Sequence, residues 1–145
     1  MIAQNDLVIG TLDAEWVLMT DGIMTPSNLP SALPQSVYGS TVIPAFIAGD
    51  TVMFVQRKAR KLRQFMYSND RQGYVVSDLT TMSEHITQSG IADVAVQQLP
   101  DTTIWCILNN GTAAVLTYEQ NQGVTGWSKI KTDGQIKSIA VIPTI

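Results

Sequence analysis

The chain has 145 residues, of which 45% are hydrophobic and 14% charged, and a net charge of −3. That length is enough for one globular unit with a core of its own, and so low a charged fraction excludes a disordered tail. The small negative balance also excludes a surface that attracts polyanions throughout, so any nucleic-acid contact has to be local. A single cysteine, Cys106, excludes an intrachain disulfide and a cysteine-rich metal site. The start of the chain has no basic segment followed by an apolar one, and no run of about 18 apolar residues occurs anywhere. We therefore expect synthesis in the cytoplasm, with neither a secretory leader nor a membrane span.

Runs rich in Val, Ile, Thr, Tyr, Phe and Trp, bounded by Gly, Asn, Asp and Pro, predict strands at 7–11, 16–20, 42–48, 52–57, 62–68, 74–77, 91–97, 103–109, 113–119, 125–131 and 136–143. Between the second and third runs stand Pro26, Pro30 and Pro34. Proline has no N–H to give to a ladder, so this stretch reads as a loop or an irregular edge. Asn109-Asn110-Gly111 lies between two apolar runs, and its Asn-Gly pair predicts a hairpin with a tight type I′ turn. One helix is predicted from Leu79 to Thr87, with Asp78 as cap, Thr81 and Glu84 in capping-box spacing, and Gly90 after its end.

Sliding the chain on itself exposes a repeat. Asp50 to Tyr67 lies over Asp101 to Tyr118 without a gap, pairing Met53 with Ile104, Phe54 with Trp105, Phe65 with Leu116 and Tyr67 with Tyr118. Extended backward, the match sets Gly39 on Gly90 and Ile43 on Val94. Leu7 to Gly10 and Trp16 to Met19 mimic the second and third strands of the later units, and Ile136 to Pro143 looks like a further first strand. Repeats of roughly 40 to 50 residues with four short strands are the pattern of propeller blades.

The expected fold is therefore all-β and β-propeller-like: about three four-stranded blade repeats with one short connector helix. Its parts form one domain over 1–145: a partial blade at 7–35, a blade at 42–77, the connector helix at 79–87, a blade at 91–131 and a closing strand at 136–143. The closing strand, with Ile136, Ile139 and Val141, is expected to act in assembly. It would complete the sheet begun by Leu7 and Trp16, within one chain or by exchange with a second copy, two chains then making one ring of about six blades.

Chemistry is sparse. The only histidine, His85, falls on the connector and reads as a surface or cap-adjacent residue; Cys106, within an apolar strand, reads as a small buried hydrophobe. No cluster of Cys or His has zinc spacing, and no Gly-rich loop precedes a Lys-Ser or Lys-Thr pair. The carboxylates fall mostly in turns, where they are ordinary turn-formers. We expect no enzyme activity and no cofactor. The one distinctive group is Arg57, Lys58, Arg60, Lys61 and Arg63, five of the nine basic residues, on a predicted hairpin. These side chains would either reach DNA phosphates or a neighbouring subunit, or form a solvated turn paired with nearby acids. Trp16, Trp105 and Trp127 stand in comparable strand contexts and read as core filler, with ligand stacking as the alternative.

Phe54-Val55-Gln56-Arg57, Arg60-Lys61-Leu62-Arg63, Gly73-Tyr74, Asp78-Leu79-Thr80, Ser83 to Thr87, Gly90-Ile91, Trp105-Cys106, Leu116 to Glu119 and Gly126-Trp127 succeed one another in this order. That ordered string resembles a region of the tail nozzle, or tail tubular, proteins of podovirus-like phages and prophages, from about Leu7 to Pro143. The resemblance implies a propeller-like, non-enzymatic virion protein in a ring around the DNA channel, with tail subunits or further copies of itself as partners. It implies a location in the virion tail, after synthesis in the bacterial cytoplasm. The alternative is a carbohydrate- or ligand-binding β module of a receptor-binding tail protein, with Trp16, Trp127 or Tyr74 as stacking platforms. Two departures stand out. The family has Gly-Gly where Lys58 and Ala59 stand here, and its members are several times longer, so the chain looks like an excised domain, a truncated prophage gene or a small relative.

Overall fold

The computed structural model describes residues 2–3 and 6–142. Twelve strands, β1 (Ile2–Ala3), β2 (Leu7–Gly10), β3 (Glu15–Met19), β4 (Ser31–Ser36), β5 (Phe46–Ala48), β6 (Thr51–Val55), β7 (Leu62–Ser68), β8 (Gly73–Asp78), β9 (Ile91–Gln97), β10 (Thr103–Leu108), β11 (Ala113–Glu119) and β12 (Val124–Ile130), make up nearly all of the regular structure. A single-turn helix, α1 (Glu84–Thr87), is the rest. The strands form three four-stranded antiparallel sheets, each a simple meander in chain order: β1-β2-β3-β4, β5-β6-β7-β8 and β9-β10-β11-β12.

Two hydrophobic clusters lie between successive sheets. Val8 and Val17 of the first sheet pack with Val52, Phe54 and Phe65 of the second. Met53, Val55 and Leu62, on the other side of the second sheet, pack with Ile104, Cys106, Leu108, Leu116 and Tyr118 of the third. Strand β6 is thus covered on both faces, and all five of its residues are buried. That is why it reads as a continuous apolar run and not as an alternation.

Local chemistry explains the differences from expectation. Pro34 sits in β4, at the outer edge of the first sheet, beside a register shift in its pairing with β3, where a missing N–H is tolerated. Pro44 shortens β5 to three residues. The Asn109–Gly111 hairpin forms, but its turn is not type I′: Gly111 N–H donates to Leu108 O at 2.9 Å, and only Gly111, at φ 80°, is left-handed. This is a type I turn closed by a glycine bulge, held so because Asn109 N–H donates to Gly90 O and its side-chain amide to Ser89 O.

The connector helix predicted over 79–87 is corrected to α1 alone. Leu79 cannot enter a helix, because its N–H donates to Leu62 O and its carbonyl accepts from Trp127 Nε1. Asp78 caps a local turn instead, accepting from Thr80 N–H and Oγ1. The closing strand is corrected too: 136–142 pairs with no sheet among the described residues, and Pro143 lies outside them.

The gapless repeat needs one adjustment. Pairing across the sheets makes Val52–Phe65 the counterpart of Ile104–Leu116. Phe65 therefore matches Leu116, as expected, but Ile104 matches Val52 and not Met53. The β6–β7 hairpin carries one residue more than β10–β11, and a one-residue slip exchanges the faces of a strand.

Candidate functional site

The basic hairpin joins β6 to β7. Gln56 N–H donates to Lys61 O at 2.9 Å and Ala59 N–H to Gln56 O at 2.7 Å, which places Ala59 at φ 58°. No glycine stands at this turn, yet the backbone at Ala59 adopts the left-handed conformation that glycine would have eased.

The hairpin does not present five cations outward. Arg57 Nη1 meets Asp13 Oδ1 at 2.7 Å, tying the hairpin to the first sheet. Lys61 Nζ donates to Asp78 Oδ2 and Glu84 Oε1, both at 2.7 Å. Arg63 is only 8% exposed, donates from Nε to Gln56 Oε1, and lies 3.6 Å from the centroid of the Tyr38 ring. Lys58 and Arg60 alone keep exposed side chains with no partner among the described residues. The sequence cluster therefore divides into three cations that hold sheets and turns together and two that face solvent.

The electrostatics of the lysine fork are mutual. Hydrogen bonds to Asp78 and then Glu84 raise the Lys61 ammonium above its ordinary value. Burial would push the Asp78 carboxyl up, but Lys61 and the two Thr80 donors outweigh it and hold it below its ordinary value.

The same geometry recurs where one sheet hands over to the next. Ser40 N–H donates to Thr11 O at 2.7 Å, Ile91 N–H to Ala59 O at 2.7 Å, and Ile136 N–H to Gly111 O at 2.9 Å. In each case the hairpin between the second and third strands of a sheet holds the first residues of the succeeding segment. Arg57 N–H to Gly39 O and Asn109 N–H to Gly90 O, both 2.9 Å, answer from the succeeding sheet. Gly39 can occupy its place only without a side chain, since a Cβ there would lie 2.0 Å from Leu12 O.

The expected assembly segment continues from this third handover. Ile136 and Ile139 are half-buried; Ile139 N–H reaches Asp93 Oδ2 at 3.3 Å, and Val141 and Ile142 border an open cleft of about 720 Å³ with Val96 to Pro100. The segment thus runs alongside β9, in the same direction, on the face away from the second sheet.

Sequence reasoning placed Glu15 among turn carboxylates. It is a strand residue, 1% exposed, and accepts from Ser36 Oγ and, at 3.0 Å, from Ser40 Oγ. Its position opposite Gly10 on the face of Val17 was the available signal, because alternation along β3 turns it inward. The expected stacking platforms are occupied by structure. Trp127 packs on the cluster between the second and third sheets, and Tyr74 stacks on Phe65 with centroids 4.6 Å apart and donates to Asp6 Oδ2 at 2.6 Å. Burial and that bond to Asp6 raise the Tyr74 phenol. Burial pushes the Cys106 thiol up to about 12, an inert residue in the core. His85 is exposed on α1. Among the described residues no three His, Cys, Asp or Glu side chains form a metal-binding group, and no helix is long and apolar enough to cross a membrane.

These features define an all-β protein of three antiparallel meanders in series, joined by repeated handover hydrogen bonds. No protein-family profile matches the chain, and no curated protein matches its sequence.

Proposed function

We propose that this chain is a non-enzymatic structural module of a phage tail, nozzle- or hub-like, whose three sheets are consecutive blades of a β-propeller arrangement near the DNA channel. The observation that carries this reading is the handover bond made three times, from Thr11, Ala59 and Gly111. A blade of a propeller is a four-stranded meander stacked face to face on the next, and a serial latch between such units suits a load-bearing ring. The functional partners are other tail subunits or further copies of the chain. Lys58 and Arg60 offer a small, sequence-independent contact for DNA phosphates.

The carbohydrate- or ligand-binding reading draws less support, because Trp127 and Tyr74 already serve two different inter-sheet contacts and Trp16 stands apart from both. Location is the decisive test. An antibody against the purified chain should decorate the tails of virions from the phage or induced prophage that encodes it, seen by immuno-electron microscopy. Labelled heads, or virions without label while the protein is present in the lysate, would overturn the proposal.

A further inference from the structure

The third handover is built on the most reactive dipeptide in the chain. Asn110-Gly111 is its only Asn-Gly pair. In such a pair the glycine nitrogen can attack the side-chain amide of the asparagine, because no following side chain crowds the approach, and asparagine is thermolabile for this reason. The turn nevertheless needs both residues. Gly111 has φ 80°, and a Cβ there would lie 2.8 Å from Gln135 Cβ. Asn110, exposed at the tip, accepts at Oδ1 from Thr112 N–H at 3.1 Å and from Thr112 Oγ1 at 2.8 Å.

The bonds that shape the turn also hold the pair in check. Gly111 N–H donates to Leu108 O at 2.9 Å, so the nitrogen that would attack is engaged, and the amide it would attack is tied to Thr112. Asn109 anchors the hairpin to Gly90 O and Ser89 O. Gly111 O, on the same residue as that nitrogen, accepts the handover bond from Ile136 N–H at 2.9 Å. Reactive site and latch therefore share one glycine.

We propose that Asn110 is a modification site, closed while the β10–β11 hairpin is closed, and that its conversion to isoaspartate releases the third handover. When the hairpin opens, Gly111 N attacks Asn110 Cγ and loses its proton, and the side-chain nitrogen leaves as ammonia, so a succinimide ring forms. Water then opens the ring, and the net change is one water taken up for one ammonia released. Opening at Cγ gives aspartate, whose carboxylate still accepts both Thr112 bonds and keeps the turn. Opening at the main-chain carbonyl carbon of residue 110 gives isoaspartate, in which the chain runs through Cβ and Cγ. The main chain is then one carbon longer and Cγ is spent on the link to Gly111. The turn that sets Gly111 against Leu108 has no place for the added atom, so Gly111 O is drawn away from Ile136 N–H.

The experiment follows residue 110 by peptide mapping and mass spectrometry, in the folded chain and in the same chain unfolded in guanidinium chloride, at matched pH and temperature. Conversion should be at least about tenfold slower in the folded chain, because it waits for the hairpin to open. The aged, unfolded chain is then refolded, and hydrogen exchange at Ile136 is compared in its isoaspartyl fraction and in Asn110→Asp carried through the same cycle. Asn110→Asp should refold and protect Ile136 as the wild type does; the isoaspartyl fraction should lose that protection or fail to refold. Equal conversion rates in the folded and unfolded chains would overturn the proposal. So would an isoaspartyl fraction that protects Ile136 fully, or an Asn110→Asp chain that does not.

Discussion

Ala59 is where the residue scale decides most. A side chain at φ 58° meets its own backbone, and glycine would remove that strain while adding freedom to the unfolded chain. The first effect is about 1–2 kcal/mol and the second about 0.4–1 kcal/mol, but the Ala59 methyl also packs on the cluster between the second and third sheets, worth up to about 0.8 kcal/mol, so Ala59→Gly should leave stability within about 0.5 kcal/mol of wild type. A urea midpoint close to that of wild type, at unchanged slope, checks it. The hairpin cations give a contrast that sequence could not supply. Arg63→Ala removes a buried guanidinium from Gln56 and Tyr38 and should lower stability by about 2–3 kcal/mol, whereas Lys58→Ala should stay within about 0.5 kcal/mol. Both side chains are charged, so residue type and clustering alone do not separate these two residues. Alternation from Phe65 was the usable clue: it turns Arg63 toward the first sheet, against Phe54.

At the scale of elements, the β8–α1 corner is a salt-bridged turn with its own pH signature. Asp78 is held below its ordinary value of 3.8, so its contribution is present above that value and is lost as pH falls through the lower folded one. Lys61 is raised above 10.5, so its contribution is present below that value and disappears as pH rises through the higher folded one. Thermal melts should therefore weaken below about pH 4, and Asp78→Asn should flatten that acid limb while lowering stability at neutral pH. This corner also marks the boundary of pattern reading. Strand positions were legible because Val, Ile, Phe and Tyr cluster between turn residues, and the repeat was legible because Phe65 and Leu116 fill equivalent places. The helix was overextended because capping-box spacing records only local options, while Leu79 is claimed by Leu62 and Trp127 from other strands. The apolar content of 136–142 read as a strand for the same reason: composition shows readiness to pair, and only the packed structure shows whether a partner is within reach.

For the whole molecule, the division of the basic hairpin limits any contact with DNA. Two free cations predict a slope of about −2 in a plot of log affinity against log salt, whereas five would predict about −4.5. Duplex binding measured across a salt series, repeated with Lys58→Ala and Arg60→Ala together, should show the shallow slope and then its loss. The handover bonds reach beyond mechanics into the order in which the protein forms. Each ties a hairpin already made to residues synthesised after it, from Thr11 to Ser40, from Ala59 to Ile91 and from Gly111 to Ile136. No distant segment has to wait for the far end of the chain, so the sheets can settle one by one as they leave the ribosome. The three amides should then report a gradient in hydrogen exchange. Ile91, 2% exposed and packed into the cluster between the second and third sheets, should exchange most slowly, Ser40 next, and Ile136, half-buried where the other two are buried, fastest.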